Sequence, residues 1–343
     1  MLLVFGTKIG ARVDGAMTVL KIAIVVFVVI VGFFYVKASN FTPFIPPSQP
    51  TAATTGDGAV SAQMAQPLWQ WATGMTPSIY GVPGILSGAA LVFFAFLGFD
   101  VVATASEETK NPHKNVPLGI GVGMLLIIVM YMLVAIVTTG MVSYKDLAKQ
   151  DSPSLATAFE LVGADWAAKI ISFGIVLGLA TVIMVLLLGL TRIVFAMSRD
   201  GLLPRGLSKT GKHGTPAVLQ IVVGVVVALV AALFDIGVLS DMVNIGTLSA
   251  FILVAISIPI MRKKRPELPR AFRMPGNPWV PILIALANFW LMLNLSVLTW
   301  IRFLVWLVIG FAIYFSYGYW HARLGKGDLS ETLSDETDRA VNG

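Results

Sequence analysis

An acid within an apolar run is the most chemically informative feature of this sequence. From Gly84 the chain is almost wholly apolar until Asp100, which follows Gly98 by two residues. A carboxylate inside a membrane span costs about 2.5–3.5 kcal/mol on insertion scales, and the nearby glycine loosens the helix that must carry it. If that helix opens near Ala95–Gly98, main-chain carbonyls are freed at the membrane midplane. Irregular backbone at that depth is tolerated only where it lines a cavity. The freed carbonyls end a half-helix whose C-terminus carries partial negative charge, so the opening would attract a cation or an ammonium group. The other reading is a continuous helix, with Asp100 solvated near the cytoplasmic interface. The residues alone leave both open.

Lys21 is the second intramembrane charge, about one and a half turns into the first apolar run. Its long stem can snorkel to the headgroups; alternatively, it is a buried positive charge that holds an opposing loop or carboxylate. Tyr131, in the middle of the third run, is either a pocket donor or a packed aromatic with an internal hydrogen bond. Asn244, Thr247 and Ser249, with Gly246, form a polar stripe of the kind that also joins helix to helix. Met184 and Gly189 lie near the centre of the long fourth run, at the depth of a pocket wall.

The elements that must position these residues are membrane helices. The 343 residues are 57% hydrophobic and only 12% charged, about half the charge of a soluble domain. A soluble enzyme is excluded on that count. Continuous apolar runs of about twenty residues are helical spans; a β-barrel would show alternating segments of about ten. Eight spans are predicted, over 16–36, 84–105, 117–142, 166–197, 216–234, 238–261, 278–298 and 301–323, all within one membrane domain. The acid-rich tail 324–343 is expected to be disordered and cytoplasmic. With the N-terminus inside, 18 Lys and Arg fall on the inner side and 5 on the outer. This asymmetry predicts cytoplasmic termini. The outer connection 37–83 is broken by Pro46, Pro47 and Pro50, with a short surface helix expected around 60–74 and Trp69 and Trp71 as interfacial anchors. Met1–Phe5 reads as the last turn of a span that has been cut off.

Other chemistries find no support. The chain has no cysteine, and its three histidines, His113, His213 and His321, lie far apart. No metal site or cofactor is expected. There is no nucleophile elbow and no phosphate-binding loop. The basic clusters at Lys110–Lys114, Arg199 and Arg262–Arg265 reflect membrane topology, so nucleic-acid binding is not needed to explain them.

Three blocks resemble the amino acid permeases of the amino acid–polyamine–organocation superfamily, in its bacterial branch similar to cationic amino acid transporters. They are Phe93–Asp100 continuing to Ala105–Pro112, Thr191–Arg192 through Ala196–Pro204, and Arg265–Arg273 with Pro275–Pro281. The resemblance implies an all-α, polytopic LeuT-like fold of two inverted five-helix repeats, usually with twelve helices. The eight spans then match helices five to twelve, with helices one to three and most of four absent. It further implies that Phe94, Ala95 and Leu97 offer carbonyls to a substrate ammonium. Asp100 is implied as a candidate for proton coupling, Lys21 as a link to the broken first helix, and Tyr131 as a neighbour of the site. The implied activity is secondary transport of amino acids across the cell membrane, as proton-coupled symport by alternating access. Its partners are an amino acid, protons and the lipid bilayer. The rivals are an exchanger, and an inactive fragment or structural subunit that needs the missing helices.

Overall fold

The computed structural model describes residues 7–50, 63–75, 78–99, 111–150, 153–204, 206, 217–267 and 274–322. These form an all-α protein. Helix α1 covers Thr7–Phe33, and α2 covers Leu68–Thr73 in the connection that follows. Helix α3 covers Gly81–Val92 and passes into a 3-10 turn over Phe93–Phe96. Next come α4 at Pro112–Met141, α5 at Tyr144–Leu147, α6 at Leu155–Leu161 and the long α7 at Asp165–Arg199. The chain continues through α8 at Ala217–Leu233, α9 at Ile236–Lys264, α10 at Trp279–Leu293 and α11 at Val297–Ile313. Two two-residue strands, Gln49–Pro50 and Ser78–Ile79, pair antiparallel across the long connection.

Among the described residues, α1, α4, α7, α9 and the stretch Val297–His321 are long and apolar enough to cross a membrane. The apolar helices around α3, α8 and α10 are shorter. Apolar side chains face outward along these helices, as Leu125 and Met132 on α4 do at 64% and 59% exposed. Such faces are covered by lipid.

Packing divides the helices into two groups. In the first, α1, α4, α6 and α7 enclose Val28, Val137, Phe159 and Ile171. In the second, α3, α9, α10 and α11 enclose Ala90, Ile245, Leu248, Met292 and Leu295. Helix α6 was not anticipated from sequence. Its N-cap is Ser154, whose Oγ accepts from the Thr157 amide at 3.1 Å, leaving Phe159 to plug the first core. The surface helix near 60–74 is present as α2. On it, Trp69 Nε1 donates to Asn294 Oδ1 at 2.9 Å, which ties α2 to the end of α10. An indole N–H that packs against protein needs a protein acceptor. Trp71 stays exposed.

The first group is closely packed at α1. A Cβ at Gly32 would collide with Val137 Cγ1 and lie 2.7 Å from Met141 Sδ. Gly32→Leu is therefore expected to destabilise the protein by about 1–3 kcal/mol, as overpacking does. Thermal melting in detergent micelles checks this; an unchanged midpoint would contradict it.

Candidate functional site: the broken helix

Helix α3 stops in the middle of its apolar run. Regular α-helix ends at Val92, and the next four residues tighten into the 3-10 turn. Leu97 is extended at φ −65°, ψ 144°, and Gly98 has φ +116°, a region essentially reserved for glycine. Two residues with non-helical backbone release the carbonyls that a continuous helix would use internally.

Those carbonyls have particular partners. The Phe94 oxygen accepts from the Leu97 amide at 3.3 Å. The Ala95 oxygen accepts from the Tyr131 hydroxyl at 2.7 Å. Among the described residues, none donates to the Leu97 carbonyl. A carbonyl oxygen has two lone pairs, so Phe94 and Ala95 each retain accepting capacity. Three oxygens at the break thus keep accepting capacity beyond the bonds they make.

Two helices hold the break from opposite groups. From α4, Tyr131 bonds Ala95 and its ring meets Phe96 edge-on at 5.1 Å. From α9, buried Asn244 donates through Nδ2 to Ala90 O at 3.2 Å and approaches Leu91 O at 3.5 Å. Phe251, seven residues on and hence on the same helix face, contacts Phe93 on one side of the break and Phe99 on the other. The segment therefore lies between the two groups. Tyr80 and Tyr144 also meet across them, at 5.3 Å.

The residues singled out from sequence are distributed as follows. Phe94, Ala95, Leu97, Gly98 and Tyr131 come together at the break. Asp100 lies outside the described residues. Lys21 lies on α1 with its stem alongside Gly178 of α7: a Cβ there would sit 3.8 Å from Cγ and 3.9 Å from Cε. Among the described residues, nothing bonds or pairs with its ammonium. Met184 is partly buried on α7, whose main packing partners are α1, α6 and α8 and not the broken segment. Of the polar stripe, Asn244 reaches another helix, whereas Ser249 bonds Gly246 O of its own helix at 2.7 Å.

Two features escaped the sequence reading. The first is a further acid within an apolar helix, Asp241 on α9, whose Oδ2 accepts from Thr299 Oγ1 at 3.1 Å. An acid one turn before Asn244 inside an apolar run was the available signal. Phe251 gave none, since nothing local distinguishes it from the other phenylalanines. The motif around Arg199 also has a local explanation. Ser198 Oγ donates to Pro204 O at 2.7 Å, and Gly201 takes φ +83° to end α7 beneath the His321 carbonyl.

Because the Tyr131 hydroxyl bonds the Ala95 carbonyl, Tyr131→Phe is expected to weaken binding of an ammonium ligand at the break about three- to tenfold, the worth of about one hydrogen bond. Equilibrium dialysis with a labelled amine checks this, and an unchanged affinity would remove Tyr131 from the site.

The family profile described as "Amino acid permease" matches residues 1–319. The chain is 41% identical over 326 residues to the branched-chain amino acid permease BcaP of Bacillus subtilis, an alignment covering 95% of this chain and 63% of that one. It is 38% identical over 322 residues to a methylthioribose transporter of the same organism, covering 94% and 62%. It is 34% identical over 268 residues to the vacuolar cationic amino acid transporter 4 of Arabidopsis thaliana, covering 78% and 40%. The chain thus spans less than two thirds of the length of these curated relatives. All three are named as permeases or transporters, and none as an enzyme. A multi-pass helical membrane protein with a helix opened in its apolar run, matched by this profile over nearly its whole length, belongs to the amino acid permease family.

Proposed function

We propose that this protein works in the secondary active transport of amino acids, as proton-coupled symport by alternating access. The observation that carries the reading is the opening of α3 between Val92 and Gly98, in a segment held between two helix groups. An α-ammonium is a compact cation with three donors, suited to several carbonyl oxygens at once. The Phe94, Ala95 and Leu97 oxygens receive it, Tyr131 holds the Ala95 oxygen in place, and Gly98 permits the turn. Met184 forms part of the more distant pocket wall, while Asp100 and Lys21 carry the coupling charge. Because α4 and α9 grip the break from different groups, movement of one group against the other alters the site. That is the mechanical requirement of alternating access.

The same proposal assigns eight spans to one membrane domain, with both termini on the cytoplasmic face of the cell membrane, following the 18 to 5 split of Lys and Arg. Two of the relatives are named for branched-chain and cationic amino acids, which share the ammonium and carboxylate. Another is named for methylthioribose, a sugar without an ammonium. The test is uptake into proteoliposomes of labelled isoleucine, lysine and methylthioribose under an inward proton gradient. Accumulation of an amino acid that collapses with a protonophore is expected. Amino acid counterflow that persists without the gradient would replace symport by exchange, and uptake of methylthioribose alone would remove the ammonium from the account. Asp100→Asn is expected to abolish accumulation against a gradient while sparing exchange. Undiminished accumulation would take Asp100 out of the coupling.

A further inference from the structure

A cavity of about 670 Å3 lies against the first half of α3. Its walls come from that half-helix, the start of α9, the end of α10 and the α2 region. The α2 region belongs to the 37–83 connection, which the proposed orientation puts on the outer face, where Lys and Arg are few. Leu91, whose carbonyl lies near Asn244, also lines it, so the cavity abuts the broken segment.

Among the described residues, its one acidic lining residue is Asp241. The carboxylate is steadied on one side by the buried Thr299 hydroxyl, and it makes no ion pair with a described Lys or Arg. Ser87, Asn294 and Ser296 add neutral groups around the same space. A partly buried carboxylate with one hydroxyl donor keeps several lone pairs unused, and a neutral polar wall does not compete for them. The complement is a donor-rich cation small enough for the cavity.

We infer that this cavity is a second binding site, one that takes the ammonium group of an amino acid or amine at Asp241 on the outer approach to the break. The inference deepens the transport reading and rests on it only for the statement that the ligand then moves on. Asp241 and Asn244 are three residues apart on one face of α9. Occupancy of the cavity and the grip on α3 are therefore coupled through one helix turn.

The experiment uses labelled L-leucinol, which has the ammonium of leucine but no carboxylate, with the purified protein in equilibrium dialysis. Wild type is expected to bind two molecules per chain, one at the break and one at Asp241. Asp241→Asn is expected to bind one, or to weaken the second site at least about tenfold, as loss of a charge-assisted bond does. Asp241→Glu should restore it. Gly88 lines the cavity, and a Cβ there meets no atom within 4 Å. Gly88→Leu should therefore fill the site without disturbing the fold, and it serves as the test should Asp241→Asn fail to fold. Equal stoichiometry and affinity in wild type and variants would overturn the inference. Asp241-dependent leucinol binding in a protein that transports no amino acid would overturn the transport reading and leave this site standing. Transport with Asp241-independent binding would do the reverse.

Discussion

Replacing Asn244 by leucine is expected to reduce amino acid uptake by about 10- to 100-fold at equal amounts of reconstituted protein, the equivalent of about 1.4–3 kcal/mol lost from the transport cycle. Asn244 is fully buried on α9, and its amide hydrogens go to the last turn of α3, at Ala90 O and near Leu91 O. Leucine is close in volume, so the packing of Ile245 and Leu248 around it should survive. What disappears is the donor. The carbonyls before the break would be left without it in an apolar setting, and the half-helix would be free to rewind or slide. Initial uptake rates measured beside a folding check by size exclusion decide the matter. A folded variant with unchanged rates would show that Asn244 only fills space.

Gly98→Val should have an effect of similar size for a different reason. A Cβ at Gly98 would meet nothing within 4 Å, so no clash is involved. The cost is conformational, because φ +116° is a backbone state that a β-branched residue does not tolerate. Holding it there costs about 1–3 kcal/mol. The cheaper outcome is for α3 to close the break and reclaim its carbonyls. Uptake is expected to fall to background while the protein remains folded in detergent, since an unbroken helix is itself stable in a membrane. Uptake within twofold of wild type would mean that the turn at Gly98 is not required. Gly98→Ala should lie between the two.

Some parts of this structure are legible in the sequence and others are not, for physical reasons. Long apolar runs mark helices in a membrane without any knowledge of their partners. This is why α1, α4, α7, α9 and α11 were legible. The possible opening of α3 was legible because a glycine and an acid within three residues conflict with a plain span. The residues that hold the opening were not. Asn244 was visible as a polar residue on α9, but not that it reaches Ala90. Tyr131 could have been a pocket donor or a packed ring, and its bond to Ala95 is a matter of which two helices meet. Phe251 carries no local mark, because lipid-facing and core-facing phenylalanines look alike when both surroundings are apolar. Asp241 lies near the start of its span, where an acid in an apolar run carries the same signal as Asp100. Helix α6 was missed because seven residues are too few to show a period.

The central claim is that the opened segment of α3 receives the substrate through its main chain. The chain has no cysteine, so a single introduced thiol can be read without background. Phe94 is 43% exposed, and its proposed contribution is its carbonyl, which Phe94→Cys leaves in place. The measurement is the rate at which a thiol-reactive reagent labels that cysteine, with and without saturating isoleucine or lysine. Labelling is expected to slow at least about fivefold with a transported amino acid and to remain unchanged with the corresponding carboxylic acid lacking the ammonium, as occupancy of a site read by ammonium requires. Equal labelling rates with and without a substrate that the same variant transports would contradict the account, because the substrate would then cross the membrane without occupying the break.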